Sequence, residues 1–541
     1  MKMSQLWRKK ARKSKQWLSQ EKAAISSIPL QPLHTSLEKN VQDITEQLGQ
    51  NTDFTSHHLI CAGRRVALFF FQSLVDIQHL SEYVILPLQE RWDKDASEKG
   101  LLLSEEKAKH ELLQIIQRQI VATTETQRIM DWQAAIQQML DGKALLIVDG
   151  EATGLAVGVE RVEKRNIANP DTEQSVIGPK ESFIEDLDTN ITLIRQRLRD
   201  PKLTIEVINI TKRGKHKVCI FYLEDVANPS IIEEVKRRLF AIDTDIIQGQ
   251  MHLQELIEDN SFSLFPELRP TERPDVVCSY LLEGNVVVMT GNSSHALILP
   301  ITFFQLLDTV DDYYSSWQYA TLIRFVRMLA LLFSIVIPGL YLSLTAFNPE
   351  LIPTRLVISM DAARTKVALP ILMEIFAMEI MIEILREAGV KLPKPIGQAV
   401  SIIGGLVIGE AAVNANLVSP VTIVIIALTT ISSFTAPVYL LGITYRILRF
   451  FVLFCSSILG LYGLILGLFF IHAHTARLVS FGVPYLAPLS PLRIADWKDT
   501  LVRFPFKKLT KRPSFLNPLQ RSKSKPLPMI SRKQHKKKNK R

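Results

Sequence analysis

Two hydrophobic periodicities divide this 541-residue chain. Before residue 296, short apolar runs alternate with amphipathic stretches of helical period, which predicts an α/β arrangement. Further on, the apolar runs lengthen and shed their charges. No charged residue lies between Arg327 and Glu350, so MLALLFSIVIPGLYLSLTAFNP (328–349) is long enough for a helix crossing roughly 30 Å of hydrocarbon. From Pro395 to Tyr445 only Glu410 is charged. Asn414, Asn416 and Ser419-Pro420 divide that run into spans at 396–417 and 420–441, a helical hairpin. Phe450 to Ala476 is again uncharged and predicts a span at 450–474.

The stretch 367–385 is apolar in composition yet carries Glu374, Glu379 and Glu383. A charge at the bilayer centre costs about 3 kcal/mol, so this helix is expected to turn its carboxylates towards protein. Glu379 and Glu383, four apart, share a face, and Arg386 is a plausible ion-pair partner three residues on. Glu374, Glu379, Glu383 and Arg386 are thus a candidate membrane-embedded polar network. Residues 296–307 are too few to cross and read as a re-entrant or interfacial piece. Arg386, Lys391 and Lys394 mark one inside loop and Arg446 with Arg449 another, which five crossings satisfy when the N-terminal region is inside. Five would put the basic C-terminus outside. An even number is therefore expected, either because 367–385 is embedded without crossing or because 296–307 pairs with a neighbour.

The soluble half compares well with itself. VALFFFQSLVD from Val66 aligns with VCIFYLEDVAN from Val218, an offset of 152 residues. MLDGKALLIVDGEATGLAV from Met139 aligns with LLEGNVVVMTGNSSHALIL from Leu281, an offset of 142. Two related α/β lobes with a variable middle are the economical explanation, with equivalent turns at Asp141-Gly142 and Glu283-Gly284. Pro266, Pro270 and Pro274 suggest a rigid extended connector before the final strands. Tyr313, Tyr314, Trp317 and Tyr319 fit a membrane interface or the packed core of a juxtamembrane helix equally.

The net charge of +10 is unevenly placed: residues 475–541 carry +16, leaving −6 for the rest. Basicity is a tail property, and no nucleic-acid partner is read from it. A basic leader, 1–45, has no apolar stretch behind it, so no secretory signal is read and the N-terminal half is expected on the cytoplasmic side. Leader and tail (491–541) are expected to be solvated, disordered segments touching anionic lipid headgroups. Cys61, Cys219, Cys278 and Cys455 are too scattered for a disulfide framework or a thiolate zinc site. Phosphate-loop, dinucleotide, zincin, nucleophile-elbow and EF-hand motifs do not occur, so the expectation is no enzyme, no metal site and no cofactor.

ERPDVVCSYLLEGNVVV, the DDYY cluster, IPGLYLSLTAFNPELIPTRL, EILREAGVKLPKPIGQAVSIIGGLVIGEAAVNANLVSP and FGVPYLAPLSP resemble the A subunit of the GerA-type spore germinant receptors, from about residue 45 to about residue 505. The resemblance implies a complex in the inner membrane of a dormant bacterial spore, with a transporter-like B subunit that binds the nutrient and a lipoprotein C subunit. It implies an A subunit that self-associates into a ring and forms a nutrient-gated channel for monovalent cations. The leader and tail depart from the family pattern. The expected fold is an α/β soluble N-terminal region of two related lobes, at 46–200 and 201–310, followed by an α-helical integral membrane domain at 311–490.

An ion path is sought along 396–417. Gly405 and Gly409 are four apart on one face, with Ser401 and Ala412 close to the same stripe. Glu410, the lone charge of its run, must be solvated, paired or protonated, and rings of Glu favour cations. Ser401, Gly405, Gly409, Glu410 and Ala412 are the candidate pore and gating residues. A secondary transporter would need inverted repeats, which these stretches lack, and a membrane-anchored signalling scaffold without its own pore is the other alternative.

Overall fold

The computed structural model describes residues 31–61, 63–89, 112–117, 125–161, 169–214 and 216–523. A first sheet contains β1 (Phe54–Cys61), β2 (Arg64–Phe71), β3 (Thr126–Ile129), β4 (Lys143–Val148) and β5 (Gly154–Gly158), ordered β1-β2-β4-β5-β3 with all neighbours antiparallel. Alternate side chains of β2 point to opposite faces, and both faces are covered. Ala67, Phe69 and Phe71 pack with Ile44 of α1 (Leu37–Leu48) and with Trp132 and Met139 of α2 (Trp132–Leu140). Val66, Leu68 and Phe70 pack with Leu80, Val84, Leu112 and Ile116. A strand covered on both faces needs no polar positions, which is why this one reads as an unbroken apolar run.

The second sheet follows the same plan. Its elements are α3 (Leu187–Arg197), β6 (Leu203–Asn209), β7 (Lys217–Leu223), α4 (Pro229–Phe240), α5 (Gln250–Ile257), β8 (Arg269–Thr271), α6 (Pro274–Leu281), β9 (Val286–Thr290) and β10 (Ala296–Leu299), with strand order β6-β7-β9-β10-β8. Register carries the correspondence to single residues. Val66 lies opposite Val148 and Val218 opposite Thr290, so the two sequence offsets meet at one paired position in each sheet. Likewise Ile129 opposite Gly154 corresponds to Thr271 opposite Ala296. Gly142 and Gly284, both at positive φ, turn the chain from a helix into β4 or β9. A buried asparagine is shared too. Asn40 accepts from the His34 N–H at 2.8 Å and donates to the His34 carbonyl at 2.6 Å, and Asn190 does the same with Ile184 at 2.9 and 2.6 Å.

Several expected boundaries shift. Residues 31–45 are not leader: Leu37, Ile44 and Leu48 of α1 are core, and residues 1–30 lie outside the described residues. The division at 200 moves back, because Leu187, Ile191 and Ile194 of α3 pack with Phe221, Leu223 and Val287 of the second sheet. Thr172 already bonds Glu272, whereas Arg161 still bonds Leu74 of the first sheet. Residues 296–299, expected as part of a re-entrant piece, are the fully buried strand β10. Pro270, expected in a connector, lies in β8 at the sheet edge, where a missing N–H is tolerated. The sheets are joined by a buried ion pair, Arg195 Nε to Asp53 Oδ2 at 3.3 Å, and by Asn51 Oδ1 accepting from the Ile205 N–H at 2.8 Å.

Beyond the second sheet the chain is helical: α7 (Trp317–Ala346), α8 (Thr354–Arg364), α9 (Ile371–Lys391), α10 (Lys394–Asn414), α11 (Pro420–Ser433) and α12 (Tyr439–Arg477). Of these, α7 and α12 are long and apolar enough to cross a membrane by length and composition. α11 stops short of the expected 441 because Pro437 cannot continue it. The single span expected at 450–474 is corrected, since Gly460 (φ 57°, ψ −133°) breaks α12 into two arms. Thr444 bonds the Leu264 carbonyl and His474 lies 3.1 Å from the neighbouring Ser263 hydroxyl, although a straight helix would separate residues thirty apart by about 45 Å. The arms therefore run antiparallel, with Gly463 against the Cys455 carbonyl and Gly467 against Val452.

Six antiparallel segments result: α7, α9, α10, α11 and the two arms of α12. The segment after α12 returns to the second sheet. Phe481, Val483, Ala487, Phe515 and Leu516 join the second sheet's core, and Lys523 pairs with Glu283 at 2.8 Å. The tail expected to be disordered from 491 is thus folded through residue 523, and 524–541 lie outside the described residues.

The turn at Gly460 is tight, since a Cβ there would stand 2.8 Å from the Phe347 ring. Gly460→Val should destabilise the bundle by about 3 kcal/mol or more, combining a backbone conformation open only to glycine with a clash. Thermal unfolding of the detergent-solubilised chain measures this, and a parental melting temperature would refute the hairpin.

Candidate pore helix and buried polar network

Three glutamates on α9 meet three different partners. Glu374 is fully buried, and one of its oxygens accepts from the Ser419 N–H at 3.0 Å and the Thr422 hydroxyl at 2.9 Å. Its other oxygen accepts from Arg364 at 3.1 Å. Ser419 caps α11 by accepting from the Thr422 N–H, so the carboxylate sits at the positive end of that helix. Glu379 faces Arg449 of α12 at 2.9 Å, both about 1% exposed. This contact is not an aligned hydrogen bond, and among the described residues neither side chain has another bonding partner. Glu383 meets Arg446 and, at 3.5 Å, Arg386, the partner expected from spacing. Arg386 also donates to Ser433 and stacks on Phe434.

The structure brings Glu379, Glu383 and Arg386 together and sets Glu374 apart, near the opposite end of the bundle. Sequence reasoning missed Arg364, Arg446 and Arg449 as partners, because their distance along the chain gives no spacing signal. Arg446 and Arg449, expected to mark an inside loop, lie instead within α12 and face α9.

α10 packs on α9. The residues that make this approach are Gly397, where a Cβ would meet the Gly389 carbonyl at 2.7 Å, and Gly404, where it would meet Leu385 at 2.9 Å, rather than Gly405 or Gly409. Gly405 faces open space, and Gly409 is partly buried with Ile423 the nearest side chain at 4.0 Å from a Cβ built there. Glu410 is exposed, and Ala412 packs inward beside the cluster of Ile375, Val418 and Ile426. Ser401 lies in the first half of α10. The small-residue stripe is thereby split between an open part and a part turned to α11.

A third polar cluster joins the second sheet to α7. Arg324 pairs with Asp308 at 2.8 Å and Asp312 at 3.0 Å, and Arg327 pairs with Asp312 at 3.2 Å and donates to Thr309 at 2.9 Å. Burial lifts the Asp308 carboxyl to about 7 and that of Asp499 to about 6, against the pull of Arg324. Beside this cluster a cavity of about 350 Å³ is lined by Glu173, Arg269, Asp308, Arg327 and Ala436. Tyr313 is packed into the cluster by Arg324 and Arg503, whereas Tyr314, Trp317 and Tyr319 are exposed.

The Glu379–Arg449 contact allows a direct test. Arg449→Leu strands a buried carboxylate and should cost about 3–5 kcal/mol, whereas Glu379→Met with Arg449→Leu should return to within about 1 kcal/mol of the parent. Melting in detergent reads both, and a double variant no better than the single would disprove the pairing.

The family model for the Bacillus/Clostridium GerA spore germination protein matches residues 42–515. Spore germination protein GerLA of Bacillus cereus is 35% identical over 487 residues, covering 90% of this chain and 96% of its own length. Membrane protein YfkQ of Bacillus subtilis is 40% identical over 375 residues, 69% of this chain and 73% of that one. Among solved structures, the N-terminal domain of the A subunit of the Bacillus megaterium spore germinant receptor GerK3 is 26% identical, covers 51% of this chain and 99% of that one, and has a TM-score of 0.39. With the matched region running from α1 through the last helix and into the docked tail, the chain belongs to the GerA spore germination protein family.

Proposed function

We propose that this protein is the A subunit of a spore germinant receptor and that it forms, as a ring of copies, a nutrient-gated channel for monovalent cations in the inner spore membrane. In this reading the two sheets are duplicated lobes on the spore-core side, the six helical segments are membrane-embedded, and both chain ends stay inside. A transporter-like B subunit binds the nutrient and a lipoprotein C subunit completes the complex. No catalytic step is assigned to this chain.

The observation that carries the channel is the environment of α10. Glu374, Glu379 and Glu383 of α9 are met by guanidinium, hydroxyl or backbone N–H groups and the exposed Glu387 by Lys391, whereas among the described residues Glu410 has no such partner and is exposed on a helix whose Gly405 also faces open space. In an apolar bundle an unmatched carboxylate calls for water or cations, and repetition around an axis would supply a ring of them. Gly405 and Gly409 would set the width of that path and Ser401 and Ala412 its neighbouring lining. An even number of segments also keeps the basic tail on the spore-core side, where the positive-inside rule favours it.

Glu410→Gln should lower cation conductance of the reconstituted receptor, and the germination response of spores, severalfold with assembly intact. Gly409→Val should block conduction or prevent packing. Planar-bilayer recording with crosslinking to score assembly is the measurement. If both variants assemble and conduct like the parent, α10 does not line the path, and a scaffold role or a route along the Glu379/Glu383 face takes precedence.

A further inference from the structure

The polypeptide after α12 holds a surface that neither the fold nor the channel reading uses. From its anchor on the second sheet it returns to the start of α7. There Arg324 donates to the Asp499 carbonyl, Arg503 donates to the Ser315 carbonyl at 3.2 Å, and Thr321 donates to the Arg503 carbonyl at 3.3 Å. Residues 499–503 are thereby fixed across the first turns of α7. Immediately past Thr321 the outer face of α7 becomes apolar and exposed, at Leu322, Phe325 and Val326. The returning segment therefore lies at the level where the apolar belt of the bundle begins.

Its exposed side chains are of two kinds only. Ile494 (72% exposed), Val502 and Phe506 (61%) are apolar, and Lys498, Lys507 and Lys508 are basic. Both acids of the stretch are turned inward: Asp496 accepts from Ser514 at 2.7 Å, and Asp499 faces Arg324. Among the described residues no ion pair engages the three lysines. Phe506 rests one side of its ring on the Arg503 guanidinium at 4.3 Å and leaves the rest open, and Lys508 lies 5.4 Å from the Phe504 ring. A solvated loop has no use for an open phenylalanine and isoleucine side by side with lysines, and a protein partner of ordinary composition would not account for the strict segregation of acids.

We propose that residues 494–508 seat on an anionic bilayer surface, with Ile494, Val502 and Phe506 entering the boundary between headgroups and acyl chains and Lys498, Lys507 and Lys508 holding lipid phosphates. The inference rests on reading the bundle as membrane-spanning. Each lysine near an anionic surface strengthens binding about fivefold, and the apolar side chains add the burial that makes a shallow contact stable. The seat would fix the start of α7, and the second sheet with it, against the membrane plane.

The test uses the full chain in nanodiscs of phosphatidylcholine, with or without phosphatidylglycerol at about one lipid in three. A fluorophore is attached at Phe506→Cys or, separately, at Phe325→Cys, and brominated acyl chains serve as quencher. Cys61, Cys219 and Cys278 are buried, and the labelled parent chain gives the background from Cys455. Both positions should be quenched, with the quenching at 506 increased by phosphatidylglycerol. Lys507→Gln with Lys508→Gln should lower that phosphatidylglycerol dependence about 25-fold and leave position 325 unchanged. Quenching at 325 without quenching at 506 would overturn the seat, because the surface would then face water or protein. Equal quenching at 506 in both lipid mixtures would overturn its anionic character. An unquenched 325 would remove the membrane reading itself, and the seat with it.

Discussion

A carboxylate buried in an apolar bundle obliges its neighbours to supply donors, and α9 makes that demand at Glu374 and Glu379, with the partly exposed Glu383 paired beside them. Glu374 takes the N-terminus of α11 and Arg364, Glu379 takes Arg449, and Glu383 takes Arg446 and Arg386. The donors stand on three separate helices besides α9 itself, so α9 is fixed in rotation as well as depth. Such pairs contribute little net stability against an apolar alternative, because desolvation offsets most of the attraction, but breaking one is expensive. Their structural effect is to specify one arrangement. With the acidic side of α9 committed to α8, α11 and α12, α10 is left to pack on the remaining surface, with Glu410 exposed.

The same demand governs what is legible in the chain and what is not. Strands covered on both faces leave uninterrupted apolar runs, so Val66–Phe71 and Val218–Leu223 are visible, and their offset survives in the register with Val148 and Thr290. Glu374, Glu379 and Glu383 announce that α9 turns one side towards donors from protein, because a carboxylate is too costly to bury unpaired in an apolar bundle. The identity of the partners is invisible: Arg449 is seventy residues from Glu379, and nothing local ties them. Gly460 is equally opaque, since glycine inside LGLYGLILGL is as compatible with a close-packed straight helix as with a reversal. The Gly460 backbone angles and the shared anchor of Thr444 and His474 on residues 263 and 264 separate the two.

At the chain ends, packing overrides composition. Charge groups residues 31–45 and 491–523 with a basic leader and tail, yet a few apolar residues decide their state. In LEKNVQDITEQL, Leu37, Ile44 and Leu48 recur at helical spacing, enough to cover one side of β2. In the tail, Phe515 and Leu516 fill the second sheet's core while Lys507 and Lys508 remain outside. Net charge averaged over fifty residues hides such pairs. The buried Asn40 and Asn190 are within reach of the sequence, because the internal repeat extends upstream of Val66 and Val218 to both of them.

These contacts form one continuous chain between the second sheet and α10. Residues 263 and 264 hold both arms of α12, whose first arm carries Arg446 and Arg449; these hold Glu383 and Glu379 of α9, and α9 carries α10 through Leu385 against Gly404. Continuity alone is not coupling, which needs an element with two arrangements whose balance both ends can shift. The weakest geometry on the route is the Glu379–Arg449 contact, where two buried charges lie at 2.9 Å without an aligned hydrogen bond and with further donors and acceptors unmatched. A fully bonded pair would resist rearrangement, whereas this one has several unused bonding directions of comparable chemistry. Among the links in the chain it is therefore the one with donors and acceptors left over, so a second pairing at Arg449 would have bonding directions to use.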